Sequence, residues 1–95
     1  MNTPNELLIQ IGLRIKEIRA LRQMTQEDLA DATELYRTYI QRIEAGVALQ
    51  VSLLALIKIA TALRIEFPSL FLKPENEPPK RVDSPQKLSR GRIQK

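Results

Sequence analysis

Apolar residues recur at helical spacing in several places along the chain. Leu8, Ile11, Ile15 and Ile18 follow a 3-4-3 pattern and predict the buried stripe of a first helix. Thr3-Pro4-Asn5-Glu6 supplies its start, a capping box with proline at the first helical position, and the pattern carries it to about Arg22. The stretch Thr25 to Glu44 reads as two short amphipathic helices joined by a tight turn. Thr25 is a suitable N-cap, and Glu27 and Asp28 place negative charge in the first turn, where the helix dipole favours it, so a helix starts at Gln26. Leu29, Ala30 and Ala32 give that helix an apolar side. Ile40 and Ile43 stand one turn apart on the next one, with Leu35 as a plug between the two. Ala45 and Gly46 form a helix stop, and Val47 to Val51 is a loop. Ser52 caps a fourth helix, along which Leu53, Leu56, Ile57, Ala60 and Leu63 repeat at helical spacing.

The residues left over on the helix from Tyr36 to Ala45 are long, polar and cationic: Arg37, Thr38, Tyr39, Gln41 and Arg42. Such a surface suits the edges of bases and phosphates. A pair of core helices in an ordinary small bundle is the plainer alternative.

These residues resemble the helix-turn-helix of the Cro and lambda-repressor-like (XRE-type) family of bacterial and phage regulators. The family's pattern places a polar residue, usually Gln, at the start of the first helix (Gln26) and a small residue within it (Ala30). An apolar residue follows the turn (Leu35), and two more lie on the second helix (Ile40, Ile43) ahead of Glu and Gly (Glu44, Gly46). Two positions depart from it: Glu34 stands where the turn usually holds Gly, and Tyr36 where the second helix usually starts from Ser or Thr. A left-handed residue at Glu34 costs roughly 1 kcal/mol relative to Gly. Val51 and Arg64 likewise replace the family's Pro before and Gly after the fourth helix. The resemblance implies an all-α, compact five-helix DNA-binding domain over residues 3–72, with Phe67, Pro68, Ser69, Leu70 and Phe71 as the short fifth helix.

The resemblance also implies site residues. Arg37, Thr38 and Arg42 match base-contacting positions, with Gln41 and Tyr39 beside them. Tyr36, nearer the backbone, meets phosphate or sugar, and Gln26 with the N-terminus of the second helix of the motif holds the phosphate backbone of double-stranded DNA. Arg19 lies one turn beyond Ile15 on the flank of the buried stripe, where a side chain either snorkels or pairs. In the family an Arg there pairs with the Glu near the end of the recognition helix, here Glu44.

Apolar residues exceed what one small core needs. Leu54 and Ala55 stand where the family more often has outward polar residues, and with Leu49 and Val51 before them they predict an interface between two copies. Leu49, Val51 and Leu54 are the expected homodimer contacts.

Composition narrows the picture further. With 95 residues, 43% of them hydrophobic, the chain holds one domain with a small core. It has no Cys and no His, which removes the commonest zinc and nucleophile chemistry, and no cofactor or metal is expected. The three glycines are too scattered for a phosphate-cradling loop, so catalysis is not expected either. No signal-peptide layout or membrane-length apolar run is present, in keeping with a soluble cytoplasmic protein. The net charge is +4. Residues 1–72 carry eight basic and eight acidic side chains, so the whole excess lies in residues 73–95. There Pro74, Pro78, Pro79 and Pro85 interrupt any helix, and a disordered basic arm is expected. It serves as a solvated tail, as a source of nonspecific DNA affinity, or as a segment that folds on a partner protein.

The function these features point to is a sequence-specific transcriptional regulator, a repressor or autoregulator, reading a palindromic operator as a homodimer. The alternative resembles small antitoxins, which bind both an operator and a toxin partner. Within the regulator class, Arg37-Thr38-Tyr39-Ile40 is similar to restriction-modification controllers.

Overall fold

The structure, a computed structural model, describes residues 3–74. Four α-helices follow one another, α1 (Pro4–Leu21), α2 (Gln26–Thr33), α3 (Arg37–Ala45) and α4 (Leu53–Leu63), and a 3-10 helix, Phe67–Phe71, closes the described chain. Among the described residues there is no strand. The expected fifth α-helix is this five-residue 3-10 turn, after which Leu72 returns to extended backbone. The arm expected over residues 73–95 lies outside the described residues from 75 onward.

Local chemistry sets the helix starts. Thr3 accepts from the backbone N–H of Glu6 while Glu6 accepts from that of Thr3, and Thr25 and Asp28 repeat the same reciprocal bonds at the start of α2. Ser52 accepts from Ala55 N–H at the start of α4. The ends are less conventional. Glu34 and Arg64 close α2 and α4 in the left-handed region, with φ of 61° and 59°, and Gln23 holds the same conformation after α1. Only α3 ends on glycine, where Gly46 has φ of 75° and also leaves room for Ile9.

Helix α1 packs against α3 and the 3-10 helix, and α2 packs against α3 and α4. Ile15, Ile18, Leu29, Ile40, Ile59, Leu63 and Leu70 are fully buried where these elements meet. Where α1 crosses α3 the contact is between backbones. A Cβ on Gly12 would lie 2.6 Å from the Glu44 carbonyl oxygen and closer still to that of Ile43, so only glycine permits the approach.

Burial along two helices differs from the spacing pattern. On α2 the inward residues are Leu29, Ala30 and Thr33, not Ala32. The Thr33 hydroxyl donates back to Leu29 O at 2.7 Å, which satisfies it in the interior. On α4 the buried stripe is Ala55, Leu56, Ile59, Ala60 and Leu63, while Leu53 and Ile57 are exposed. Ala55 therefore faces the core rather than a partner. A helix that is apolar on nearly every side gives the periodicity little to discriminate, and packing against α2 chooses the register.

Two further arginines brace the helices. Arg14 is completely buried; its Nε donates to Ser69 O at 2.9 Å and its Nη1 to Glu17 Oε1 at 2.9 Å, locking α1 to the 3-10 helix. Arg22 Nε donates to Leu63 O at 2.9 Å and ties the end of α1 to the end of α4. No described helix is long and apolar enough to cross a membrane.

Candidate nucleic-acid interface

Helices α2 and α3 stand across the turn Glu34–Tyr36, and a network around Glu44 sets their relation. Arg19 Nε donates to Glu44 Oε2 at 2.7 Å and Arg19 Nη2 to Oε1 at 3.1 Å, while Arg19 Nη1 holds Met24 O at 2.7 Å. Gln26 Nε2 donates to the same Glu44 Oε1 at 3.1 Å. A nearly buried carboxylate at the end of α3 thus gathers α1, the turn after it, and the first residue of α2. The turn itself is tightened by Leu35 N–H donating to Ala30 O at 3.2 Å.

This bracing leaves one face of α3 exposed. Ile40, Ile43 and Glu44 point inward, and Arg37, Thr38, Gln41 and Arg42 lie on the solvent side, with Tyr36 exposed at the helix start. Tyr36 makes no side-chain cap bond, and the first turn of α3 holds no acid. The positive end of the helix dipole is therefore not neutralised from within, a favourable setting for an anion such as a backbone phosphate. Arg37 also borders an open cleft with Arg19, Gln23, Thr25, Gln26 and Glu27, so the start of α3 and the start of α2 share one surface.

Two of the sequence-derived candidates sit differently from this group. Gln26 is half-buried and its amide is engaged by Glu44, although its backbone still opens α2 beside the cleft. Tyr39 is half-buried, packs on the core, and bonds through its hydroxyl to the loop before α4. Both attachments, and the burial of Arg14, depart from the sequence expectation. Position 14 lies one turn from Ile11 and Ile18, on the edge of the α1 stripe, and that spacing was the available signal.

The expected dimer contacts divide likewise. Leu49 and Leu54 are 92% and 60% exposed. Val51 instead packs on its own core, lining a small apolar cavity with Leu8, Ile11, Ile43, Ala48 and Leu56. A half-buried side chain spent inside the protomer has little surface left to offer a partner.

Asp28 and Glu6 both hold their carboxyls below the ordinary range, chiefly because each accepts the backbone N–H of its own N-cap threonine.

Two neighbouring helices meeting at a carboxylate that an α1 arginine also grips, the second presenting arginines and an amide to solvent, define a helix-turn-helix DNA-binding domain. A family profile described as Helix-turn-helix (HTH_3) matches residues 15–70, and the chain belongs to this XRE-type helix-turn-helix family of DNA-binding transcriptional regulators. It is 41% identical to the restriction-modification controller protein C.AhdI from Aeromonas hydrophila, with 67% of this chain and 96% of that one covered at a TM-score of 0.65. It is 37% identical to the restriction-modification controller protein C.Esp1396I, covering 68% and 84% at a TM-score of 0.63. A chain of the SinR protein/SinI protein complex is 27% identical, covering 63% and 58% at a TM-score of 0.60. No curated protein is matched by the chain.

Proposed function

We propose that residues 3–72 bind duplex DNA as a homodimer and regulate transcription, most simply as a repressor or autoregulator. The observation that carries this reading is the exposed α3 face of Arg37, Thr38, Gln41 and Arg42, held beside the start of α2 by Glu44, which accepts from both Gln26 and Arg19. In this reading α3 enters the major groove, and the backbone that opens α2 at Gln26, together with Tyr36, meets the phosphate backbone. Leu49 and Leu54 lie between the two copies. Because residues 1–72 are neutral overall, specificity rests on where the two arginines stand rather than on bulk charge.

Within the regulator class, identity to two restriction-modification controllers supports a controller role. A regulator that also binds a protein partner, as SinR does with SinI, is the second reading; residues 73–95 would supply the contact, and a toxin is one such partner. If the tail serves DNA instead, its bases add affinity without sequence preference.

Selection of bound duplexes from a random pool by the full chain tests the proposal. Enrichment of a palindrome with half-sites about 10 base pairs apart, or a near multiple, is the expected result. Recovery of unenriched sequence would overturn it.

A further inference from the structure

Tyr39 belongs to the proposed recognition helix, yet its hydroxyl serves another part of the molecule. It donates to Gln50 O at 3.2 Å and accepts from Ser52 N–H at 3.3 Å. Ser52 is the N-cap of α4, so one α3 side chain holds both the end of the loop and the start of the next helix. The beginning of the same loop is also fastened to α3, through Val47 N–H donating to Arg42 O at 3.0 Å. Between these two anchors Leu49 is 92% exposed, and just beyond them Leu53 and Leu54 are 64% and 60% exposed.

We infer that Tyr39 is a positioning residue that fixes the loop 47–52 and the first turn of α4 in the shape that receives a second copy of this chain, coupling dimer assembly to DNA affinity. The inference rests on the dimeric DNA-binding reading above. The absence of charge suits a second copy as the occupant. From Ala45 to Ile57 the sequence has no charged residue, so a two-fold contact, which sets each patch against itself, opposes no like charges. The exposed Val47, Leu49, Leu53, Leu54 and Ile57 would bury roughly 500 Å² per protomer, about 1,000 Å² in total, at the lower limit for a specific interface. An interface of that size depends on how well its few leucines are placed, and a loop free to move would lose part of its contact to ordering on association. The Tyr39 hydroxyl fixes that order in advance.

Tyr39→Phe in the full chain keeps the ring in the core and removes both loop bonds. Hydrogen exchange at the Ser52 amide, sedimentation equilibrium, and binding to the selected operator read the three consequences separately. The Ser52 amide should exchange faster, and dimerisation should weaken roughly three- to tenfold as the loop ordering once supplied by one or two modest hydrogen bonds within the protomer is shifted onto association. Operator affinity should fall only where protein concentration lies below the new dimer constant, and recover above it. An unchanged dimer constant would overturn the inference, and so would a loss of affinity that persists once the variant is fully dimeric, which would return Tyr39 to direct DNA contact. A wild-type chain that stays monomeric while bound to its operator would remove the proposed dimer as well.

Discussion

Arg19 and Glu44 meet in a two-pronged ion pair, Nε to Oε2 at 2.7 Å and Nη2 to Oε1 at 3.1 Å, with side-chain exposures of 15% and 3%. Twenty-five residues apart, they join the first helix to the end of the one that presents the arginines. Removing one partner leaves the other charge desolvated, which costs on the order of 3 kcal/mol. Arg19→Ala should therefore lower the melting temperature by roughly 10 to 20 °C in a domain of this size. Melting at the wild-type temperature would mean that solvent replaces the guanidinium without loss.

The backbone crossing at Gly12 leads to a second prediction. Alanine is the better helix former, so Gly12→Ala on a free helix would gain about 1 kcal/mol. Here its Cβ would meet the carbonyls of Ile43 and Glu44, backbone atoms that cannot rotate away. The substitution should reduce stability by ~1 to 3 kcal/mol, read as a lower denaturant midpoint, and should weaken operator binding by shifting α3.

At Glu34 the expected sign is opposite. Its φ of 61° is a conformation glycine adopts without strain. Glu34→Gly should raise stability by about 1 kcal/mol while leaving the operator sequence unchanged. Chemical denaturation and a repeated duplex selection check the two halves of this expectation.

Acid should loosen the starts of α1 and α2. Glu6 and Asp28 have lowered folded-state pKa values, chiefly through the backbone N–H groups of Thr3 and Thr25. Their contribution is present above the unfolded-state values and is lost as pH falls through the folded ones. Asp28→Asn and Glu6→Gln should each lower the melting temperature near neutrality, where the charged caps contribute, and approach the wild-type value below about pH 4, so that the acid-side fall is flatter. An unaltered acid profile in both variants would assign the loss to other carboxylates.

Arg37 and Arg42 distinguish reading from mere attraction. An arginine bidentate to guanine, changed to alanine, should cost ~1 to 3 kcal/mol on the operator and relax preference at one symmetric position in each half-site. A phosphate-binding arginine would weaken every duplex about equally. Competition of Arg37→Ala and Arg42→Ala against singly substituted operators separates the two, and relaxation at a base position is expected for each.

The sequence by itself determined where helices begin, where most of them end, and that α2 and α3 form a helix-turn-helix. Those signals are local: Thr3, Thr25 and Ser52 cap the chain within three residues of themselves, and Ile40 and Ile43 mark a face by their spacing alone. Tertiary structure decided what depends on neighbours distant in the chain. It buried Ala55 and exposed Leu53 on a helix whose composition suited either arrangement, turned Val51 inward, and closed Arg14 beneath the 3-10 helix. It also drew Gln26 to Glu44 and the Tyr39 hydroxyl to the loop before α4, so that two polar residues of the motif act within the protomer. The physical reason is the same in each case: a side chain's partner is set by which helices cross and how closely, and at Gly12 that distance is fixed by the absence of a single carbon.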